Sequence, residues 1–224
     1  MTSNIIDDKE NGRLTIVFDN TAYDPTLQAS WGFACLIEMP GRPRVLFDTG
    51  ADGTILLGNM NKLGIDPTTI EKVVISHDHW DHIDGLELLL KVKEELEVYI
   101  PKSCGEHGFF KEVQRVDGPV EILPGIHSTG ELGNFEQSVV INVQDGVVLV
   151  VGCSHPGVDR ILKAAQEFGQ VKGIIGGLHG FDQLELVEDM DWVCPTHCTR
   201  QINAIKMMYP EKYISGGAGR IIQL

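Results

Sequence analysis

Three histidines and three aspartates lie within ten residues of this chain, directly behind an apolar run. They occupy residues 76–85 and follow Val73, Val74 and Ile75. Imidazole and carboxylate groups behind a buried strand must be paired or must coordinate a cation, because unpaired polar groups are costly away from water. A divalent transition metal meets that need, with zinc favoured and manganese or iron as alternatives. The apolar strand before the stretch disfavours the competing interpretation, an exposed histidine-rich loop.

The spacing within this stretch indicates two pairs of metal ligands. His77 and His79 lie two residues apart, so in a loop or extended segment both side chains can reach one ion. Asp81 and His82 emerge on the other side of the same turn. The sequence therefore predicts one or two metal ions between the end of a strand and the start of a helix.

Apolar strands and intervening helices must position these ligands. Strands are predicted over residues 13–19, 33–39, 44–48, 72–76, 97–100, 121–126, 138–143, 147–151, 171–175 and 192–194. Helices are predicted over residues 54–63, 85–96 with Asp84 as the cap, 104–116 and 156–168. Several of the strands end in a polar cluster, which is where α/β enzymes keep their chemistry.

Composition and charge limit the partners that we expect. Acidic residues outnumber basic ones 32 to 18, giving a formal net charge of −14, which repels phosphate backbones. The five cysteines are an odd number and the polar residues 1–11 do not resemble a secretory signal, so we expect free thiols rather than a disulfide framework. We expect one domain over residues 1–224, cytoplasmic, with a small-molecule substrate and neither a nucleic-acid nor a membrane partner.

Residues 77–82 read His-x-His-x-Asp-His and resemble the metal-binding motif of the metallo-β-lactamase superfamily. The resemblance implies an α/β (α+β) fold built as a four-layer αββα sandwich. It assigns His77 and His79 to one metal and Asp81 and His82 to a second. It also implies that Asp48, at the end of a predicted strand, steadies the histidine loop through hydrogen bonds.

The resemblance implies further ligands, which must be placed residue by residue. His197, which follows the predicted strand 192–194, fits the last histidine of the second metal. The bridging ligand is usually an aspartate, whereas this chain has Cys153, which is either a thiolate ligand or a small buried hydrophobic residue. For the third ligand of the first metal we favour His155, with His127 as the competitor.

Three further segments are similar to one branch of that superfamily, named after 7,8-dihydropterin-6-methyl-4-(β-D-ribofuranosyl)aminobenzene-5′-phosphate synthase. They are residues 152–157, 176–179 and 195–199. The chain departs from the pattern of the branch at Asp78, Trp80, Gly180 and Arg200, where glycine, tyrosine, leucine and glycine are usual.

Three residues are candidates for contact with a substrate. His179 follows two glycines, which permit close backbone approach, and it is placed to bind substrate or to act as a general acid. Trp80 lies inside the metal motif and offers a surface for stacking on a flat heterocycle such as a pterin. Arg200 offers a guanidinium group for a phosphate.

These residues predict a metal-dependent hydrolase. A bound divalent metal lowers the pKa of water, and the resulting hydroxide attacks a small-molecule ester or phosphoester. Asp81 would orient the second metal and the water, and His179 would donate a proton to the leaving group. The branch implies a phosphoribosyl or pterin-type substrate. The alternatives are a phosphoribosyl-transferring synthase in pterin-cofactor biosynthesis and a non-catalytic metal-binding or ligand-binding protein.

Overall fold

The computed structural model describes residues 12–224, and the expectation about a secretory signal in residues 1–11 lies outside them. The strands of the described residues are β1 Arg13–Phe18, β2 Ala34–Glu38, β3 Arg44–Phe47, β4 Ile70–Val74, β5 Glu97–Pro101, β6 Val113–Val116, β7 Val120–Leu123, β8 Ile126–Ser128, β9 Val139–Val143, β10 Gly146–Val151, β11 Val171–Gly177, β12 Trp192–Thr196 and β13 Ile221–Gln223. The helices are α1 Gly53–Lys62, α2 Trp80–Ile83, α3 Leu86–Val92, α4 Val158–Gln166 and α5 Ile202–Met208. Short 3-10 turns cover Pro67–Thr69 and Leu184–Val187.

The strands form two mixed sheets. The first has the order β13-β1-β2-β3-β4-β5-β6, and the second has the order β12-β11-β10-β9-β8-β7. In the first sheet β3 to β6 run parallel, and in the second β10, β11 and β12 run parallel. The carboxyl ends of each parallel group therefore lie at one edge of its sheet.

The buried apolar residues form three clusters, which lie between the four layers of the fold. The inner faces of the two sheets share one cluster, in which Phe47 and Val74 of the first sheet join Val150 and Ile175 of the second. A second cluster covers the outer face of the first sheet with residues of α1, α2 and α3. A third covers the outer face of the second sheet with residues of α4 and α5. The predicted αββα sandwich is thereby confirmed.

The predicted helix over residues 85–96 is wrong in its extent. α3 ends at Val92, four residues before the predicted end, and Asp84 ends the separate short helix α2 in a helical conformation instead of capping α3. The break occurs at Gly85, whose N–H donates to the carbonyl of Gly50. A β-carbon at Gly85 would meet the Thr49 carbonyl oxygen at 2.1 Å, so the helix start is pressed against the end of β3.

The predicted helix over residues 104–116 is also wrong. Its last four residues form β6, which extends the first sheet by parallel pairing with β5. At the start of the segment, the carbonyl groups of Cys104 and Gly105 accept hydrogen bonds from the Arg115 side chain rather than from backbone N–H groups of a helix. A smaller error is the single strand predicted over residues 121–126, which Gly125, at φ 80°, divides into β7 and β8.

Among residues 12–224, none of the helices combines the length and the apolar character needed to cross a bilayer.

Candidate metal centre

Asp48 organises the histidine stretch from beneath. It follows β3 at a positive φ of 57° and is fully buried. One carboxylate oxygen accepts the Ser76 N–H at 2.6 Å, and the other accepts the Ser76 hydroxyl at 2.8 Å and the Nδ1–H of His82 at 2.7 Å. A positive φ costs an aspartate conformational free energy, and these hydrogen bonds offset that cost.

These contacts determine which nitrogen of each imidazole carries the proton. His82 donates through Nδ1 to Asp48, so the lone pair of its Nε2 is available to bind a metal ion. The Ser76 hydroxyl gives its proton to Asp48 and can therefore only accept from the Nδ1–H of His77, 2.9 Å away. One buried carboxylate thus directs the Nε2 lone pairs of both histidines towards the same space, as outer partners of metal ligands commonly do.

The first half of the centre contains three histidines. Nε2 of His77 lies 2.9 Å from Nδ1 of His79. The ring of His155 lies 4.9 Å from that of His77 and 5.0 Å from that of His79. One nitrogen of each ring lies within 4.8 Å of the other two, which suits coordination of one ion. The ring of Phe135 packs against all three and covers one side.

The second half contains Asp81, His82 and His197. Nε2 of His197 lies 3.3 Å from the Asp81 carboxylate and 3.2 Å from Nε2 of His82. All three residues are buried, and the indole N–H of Trp31 donates to the same Asp81 oxygen at 2.8 Å. The Asp–His pair of the motif is therefore completed by a histidine from the end of β12, as the resemblance implies.

Asn20 holds His197 in place, and the sequence analysis missed it. Its Oδ1 accepts the Gly32 N–H at 2.9 Å and so must also accept the Nδ1–H of His197 at 2.9 Å. Its side-chain amide donates to the His197 carbonyl, and Asp19 accepts the His197 N–H. Asn20 and His197 lie 177 positions apart in the sequence, and no local pattern indicates that they are in contact.

Cys153 lies between the two halves. Its Sγ is 3.2 Å from Nε2 of His82, and it also lies within ligand distance of His77. The thiol is 4% exposed, so it faces the cluster and not solvent. Of the two interpretations left open by the sequence, this placement favours a thiolate ligand.

Glu136 positions Cys153 and His155, and the sequence analysis did not identify this role. One carboxylate oxygen accepts the N–H groups of Cys153 and Ser154, both at 2.9 Å, and the other accepts that of His155 at 2.8 Å. Burial raises the pKa of Glu136 to about 7. The fold around this carboxylate lets two residues only two positions apart face different halves of the centre.

The donor chemistry fits a divalent metal. Nε2 of His82 and Nε2 of His197 face each other at 3.2 Å, and both rings donate through their other nitrogen, so two lone pairs meet unless a cation lies between them. Burial opposes a positive charge on His82, but the carboxylates of Asp48, Asp81 and Glu136 together outweigh burial and raise the pKa of His82. The surroundings of His82 Nε2 therefore favour a cation.

Three further pKa shifts prepare the ligands for a metal. Burial, reinforced by neighbouring histidines, lowers the pKa of His77 well below its usual range and that of His155 to about 4. Burial acts against ionisation of Asp81, but its contacts with His197 and His82 lower its pKa to about 2. Near neutral pH these histidines are neutral and this aspartate is charged, which are the states that metal ligation requires.

The candidate substrate-contacting residues lie around the opening. The ring of His179, at φ 43°, lies 5.0 Å from that of His155, and both line a cavity of about 300 Å³. The side chains of Asp159 and Asp182 also line this cavity. Trp80 is 56% exposed at the start of α2, and Arg200 is exposed, with its backbone N–H bound to the His179 carbonyl.

Two other histidines lie outside this cluster. His127 is on β8, paired with Val140, and its ring packs against Phe168 at 4.9 Å. His107 contacts the Asp78 carboxylate at 2.6 Å and lies within ligand distance of Cys104. Asp78, Cys104 and His107 thus form a separate set of possible ligands next to the metal motif.

Replacement of His155 by alanine is expected to lower the zinc bound per chain, whereas His127→Ala should leave it unchanged. The reason is that the first ring belongs to the three-histidine set and the second packs against Phe168. Elemental analysis of protein equilibrated with zinc and then desalted measures the difference. An equal loss in both variants, or a loss only in His127→Ala, would contradict the assignment.

The comparisons with known proteins agree with this geometry. A family model described as a β-lactamase superfamily domain matches residues 43–122, which include the histidine stretch. An uncharacterized protein of Methanocaldococcus jannaschii is 27% identical over an alignment that covers 93% of this chain and 99% of the relative. A second protein of that organism, named 7,8-dihydropterin-6-methyl-4-(beta-D-ribofuranosyl)-aminobenzene-5′-phosphate synthase, is 25% identical, covering 93% of this chain and 95% of the relative.

A solved structure has the same fold. Described as Tm1679, a metal-dependent hydrolase of the β-lactamase superfamily, it superposes with a TM-score of 0.76 at 24% identity, covering 95% of this chain and 99% of that one. The family match over residues 43–122 and the two archaeal relatives support the resemblance of this chain to the metallo-β-lactamase superfamily, and the shared sandwich shows that it has the fold of that superfamily.

Proposed function

We propose that this protein is a metal-dependent hydrolase of a small-molecule ester or phosphoester, with zinc as the preferred metal. The observation that carries the proposal is the convergence of two ligand sets, His77 with His79 and His155, and Asp81 with His82 and His197. Divalent metal held there would supply a Lewis acid and would lower the pKa of water to near neutrality. The solved relative described as a metal-dependent hydrolase adds support.

The residues of this chain have distinct tasks in the proposed reaction. Asp48 holds the tautomers of His77 and His82, as its hydrogen bonds require. Asp81, charged and bound by the Trp31 indole, orients the second half of the centre. The wall that Phe135 forms over the three histidines limits the access of bulk water from that side.

We assign the substrate to the cavity beside His155 and His179. His179 is exposed at its edge, where its imidazole can donate a proton to a leaving group. Trp80 offers an exposed aromatic surface on the metal motif, and Arg200 an exposed cation for a substrate phosphate. The acidic side chains of Asp159 and Asp182 disfavour an anionic group inside the cavity itself, so a substrate phosphate would have to lie on the Arg200 side.

A panel of substrates tests the proposal. The zinc-loaded and manganese-loaded proteins should hydrolyse at least one class among carboxylic esters, lactones, phosphomonoesters and phosphodiesters. Turnover should disappear in His197→Ala, and should persist in His127→Ala, whose ring lies on β8. The proposal fails if the metal-loaded protein turns over none of the four classes, or if the His197→Ala variant is as active as the parent.

The name of one archaeal relative supports a second candidate, a phosphoribosyl-transferring synthase. That relative is named as a synthase and aligns with 93% of this chain. A transfer reaction would release pyrophosphate from a phosphoribosyl donor in the presence of an aromatic acid, whereas hydrolysis would not require the acid. Measurement of pyrophosphate with and without the acid separates the two. The cytoplasmic location, the single domain and the lack of a nucleic-acid partner stay predictions.

A further inference from the structure

Two cysteines face each other beside the second half of the metal centre. Cys153 follows β10 and Cys198 follows β12, and both are free thiols. Their sulfur atoms lie within 4.8 Å of each other and of a ring nitrogen of His197. The sulfur of Cys198 also lies 3.8 Å from the Cys153 carbonyl oxygen.

A glycine makes this approach possible. β11 lies between β10 and β12 in the sheet, and a side chain at its end would separate the two cysteines. The residue at that end is Gly177, where a β-carbon would meet the sulfur of Cys198 at 2.6 Å and the Cα of Cys153 at 3.3 Å. Only glycine leaves the space that the Cys198 thiol occupies.

The two thiols differ in their access to solvent. Cys153 is 4% exposed, whereas Cys198 is partly exposed, beside His179 at the edge of the opening. Cys35, Cys104 and Cys194 are buried in the apolar clusters. An oxidant in solution therefore reaches Cys198 before any other thiol of the described residues, and exposure is one of the properties that select cysteines for oxidation.

We propose that Cys198 is an oxidation site for hydroperoxides and that Cys153 resolves it by forming a disulfide. The Cys198 thiolate attacks one oxygen of hydrogen peroxide, the O–O bond breaks, and the leaving hydroxide takes up a proton as water. The Cys153 thiolate then attacks the sulfenic sulfur of Cys198, the S–S bond forms, and the S–O bond breaks to release a second water. In sum, two thiols and one peroxide give one disulfide and two waters.

The disulfide and the metal compete for Cys153. The sulfur that would form the bond lies 3.2 Å from Nε2 of His82, inside the ligand cluster. Oxidation would withdraw a donor from the metal centre, and bound metal would withhold the thiol from oxidation. The disulfide itself does not depend on the proposed hydrolase activity, but this competition rests on the proposed metal centre.

Mass spectrometry tests the oxidation site. Metal-free protein of full length is treated with hydrogen peroxide, the remaining thiols are alkylated, and peptides are mapped. The expected product is one intramolecular disulfide that joins Cys153 to Cys198 and is reversed by a thiol reductant. Neither Cys198→Ser nor Cys153→Ser should form a disulfide, whereas Cys35→Ala, altered at a thiol of the apolar core between the two sheets, should form it as the parent does.

Zinc provides a second readout on the same samples. With free zinc at ten times its Kd, the rate of disulfide formation should fall about tenfold, because only the metal-free fraction reacts. Oxidised parent protein should bind zinc more weakly, and peroxide-treated Cys198→Ser should bind it as before treatment. A disulfide between other cysteines, or stable overoxidation of Cys198 without a crosslink, would overturn the proposal. An inactive but crosslinked protein would count against the hydrolase function and not against the oxidation site.

Discussion

Replacement of Asp48 by asparagine is expected to weaken zinc binding about 10- to 100-fold, the usual cost of losing an outer partner of a metal ligand. Asparagine matches aspartate in shape, but it has only one acceptor oxygen. If that oxygen keeps the Ser76 N–H, the amide NH₂ takes the place of the oxygen that now accepts from Ser76 and His82. Because an NH₂ group donates, the proton of His82 must move to Nε2, where the metal binds.

The measurement is a competition titration with a zinc chelator, combined with nitrogen NMR of the imidazole rings to identify the tautomer of His82. Asp52→Asn is the matched control, since it removes the same charge at the exposed N-cap of α1, where asparagine caps as well as aspartate. Circular dichroism establishes that both variants are folded. Zinc affinity within twofold of the parent in folded Asp48→Asn would refute the argument from tautomers.

The parts of the centre that could be predicted from sequence are those carried by short-range spacing. The stretch from His77 to His82 combines several ligand types behind one apolar strand, and the pattern indicates a metal whatever the rest of the chain does. The ends of β10 and β12 were also recognisable, because a cysteine lies two residues after the first strand and a histidine directly follows the second. The layered sandwich followed from the resemblance and from the order of strands and helices.

The residues that hold those ligands could not be predicted, because their contacts are made across the fold. Asn20 and Glu136 belong to no motif, and each acts through atoms that only the tertiary structure brings together. Asn20 reaches His197 across 177 positions, and Glu136 reaches the N–H of His155 across 19. A polar residue near a strand or turn has many ordinary roles, and nothing local distinguishes these two.

The errors in secondary structure have a related cause. The segment before β6 contains residues compatible with a helix, yet pairing with β5 buries Val116 at the edge of the first sheet. Gly85, and not Asp84, directly precedes α3, because the Thr49 carbonyl beyond the end of β3 leaves no room for a side chain at that position. In both places a contact with a distant strand outweighs local propensity.

The position of Cys153 changes what its presence means. In the sequence it was a departure from the aspartate that the resemblance led us to expect. In the structure its sulfur lies within ligand distance of His77 and His82 and also close to His197 and Cys198. A thiolate is softer than a carboxylate and can be oxidised, so the same substitution that suits zinc also exposes the centre to peroxide.

Removal of metal is expected to lower the melting temperature substantially. The Nε2 atoms of His82 and His197 face each other at 3.2 Å in a buried place, so binding of a cation should favour the folded state strongly. Zinc at a hundred times its Kd stabilises by about 2.7 kcal/mol, which for a domain of this size corresponds to roughly 5–10 °C. Thermal unfolding of chelator-treated protein, before and after zinc is restored, measures this shift.

Three variants locate the ion that produces the shift. His155→Ala and His197→Ala each remove a ligand from one half of the cluster and should reduce the shift. His107→Ala should retain it, because that histidine belongs to the separate set with Asp78 and Cys104. If His107→Ala alone abolishes the shift, the stabilising ion lies in that outer set, and the convergence of the buried histidines would need another explanation. Retention of the full shift in His107→Ala, with its loss in the other two, would assign the stabilising ion to the buried histidine centre.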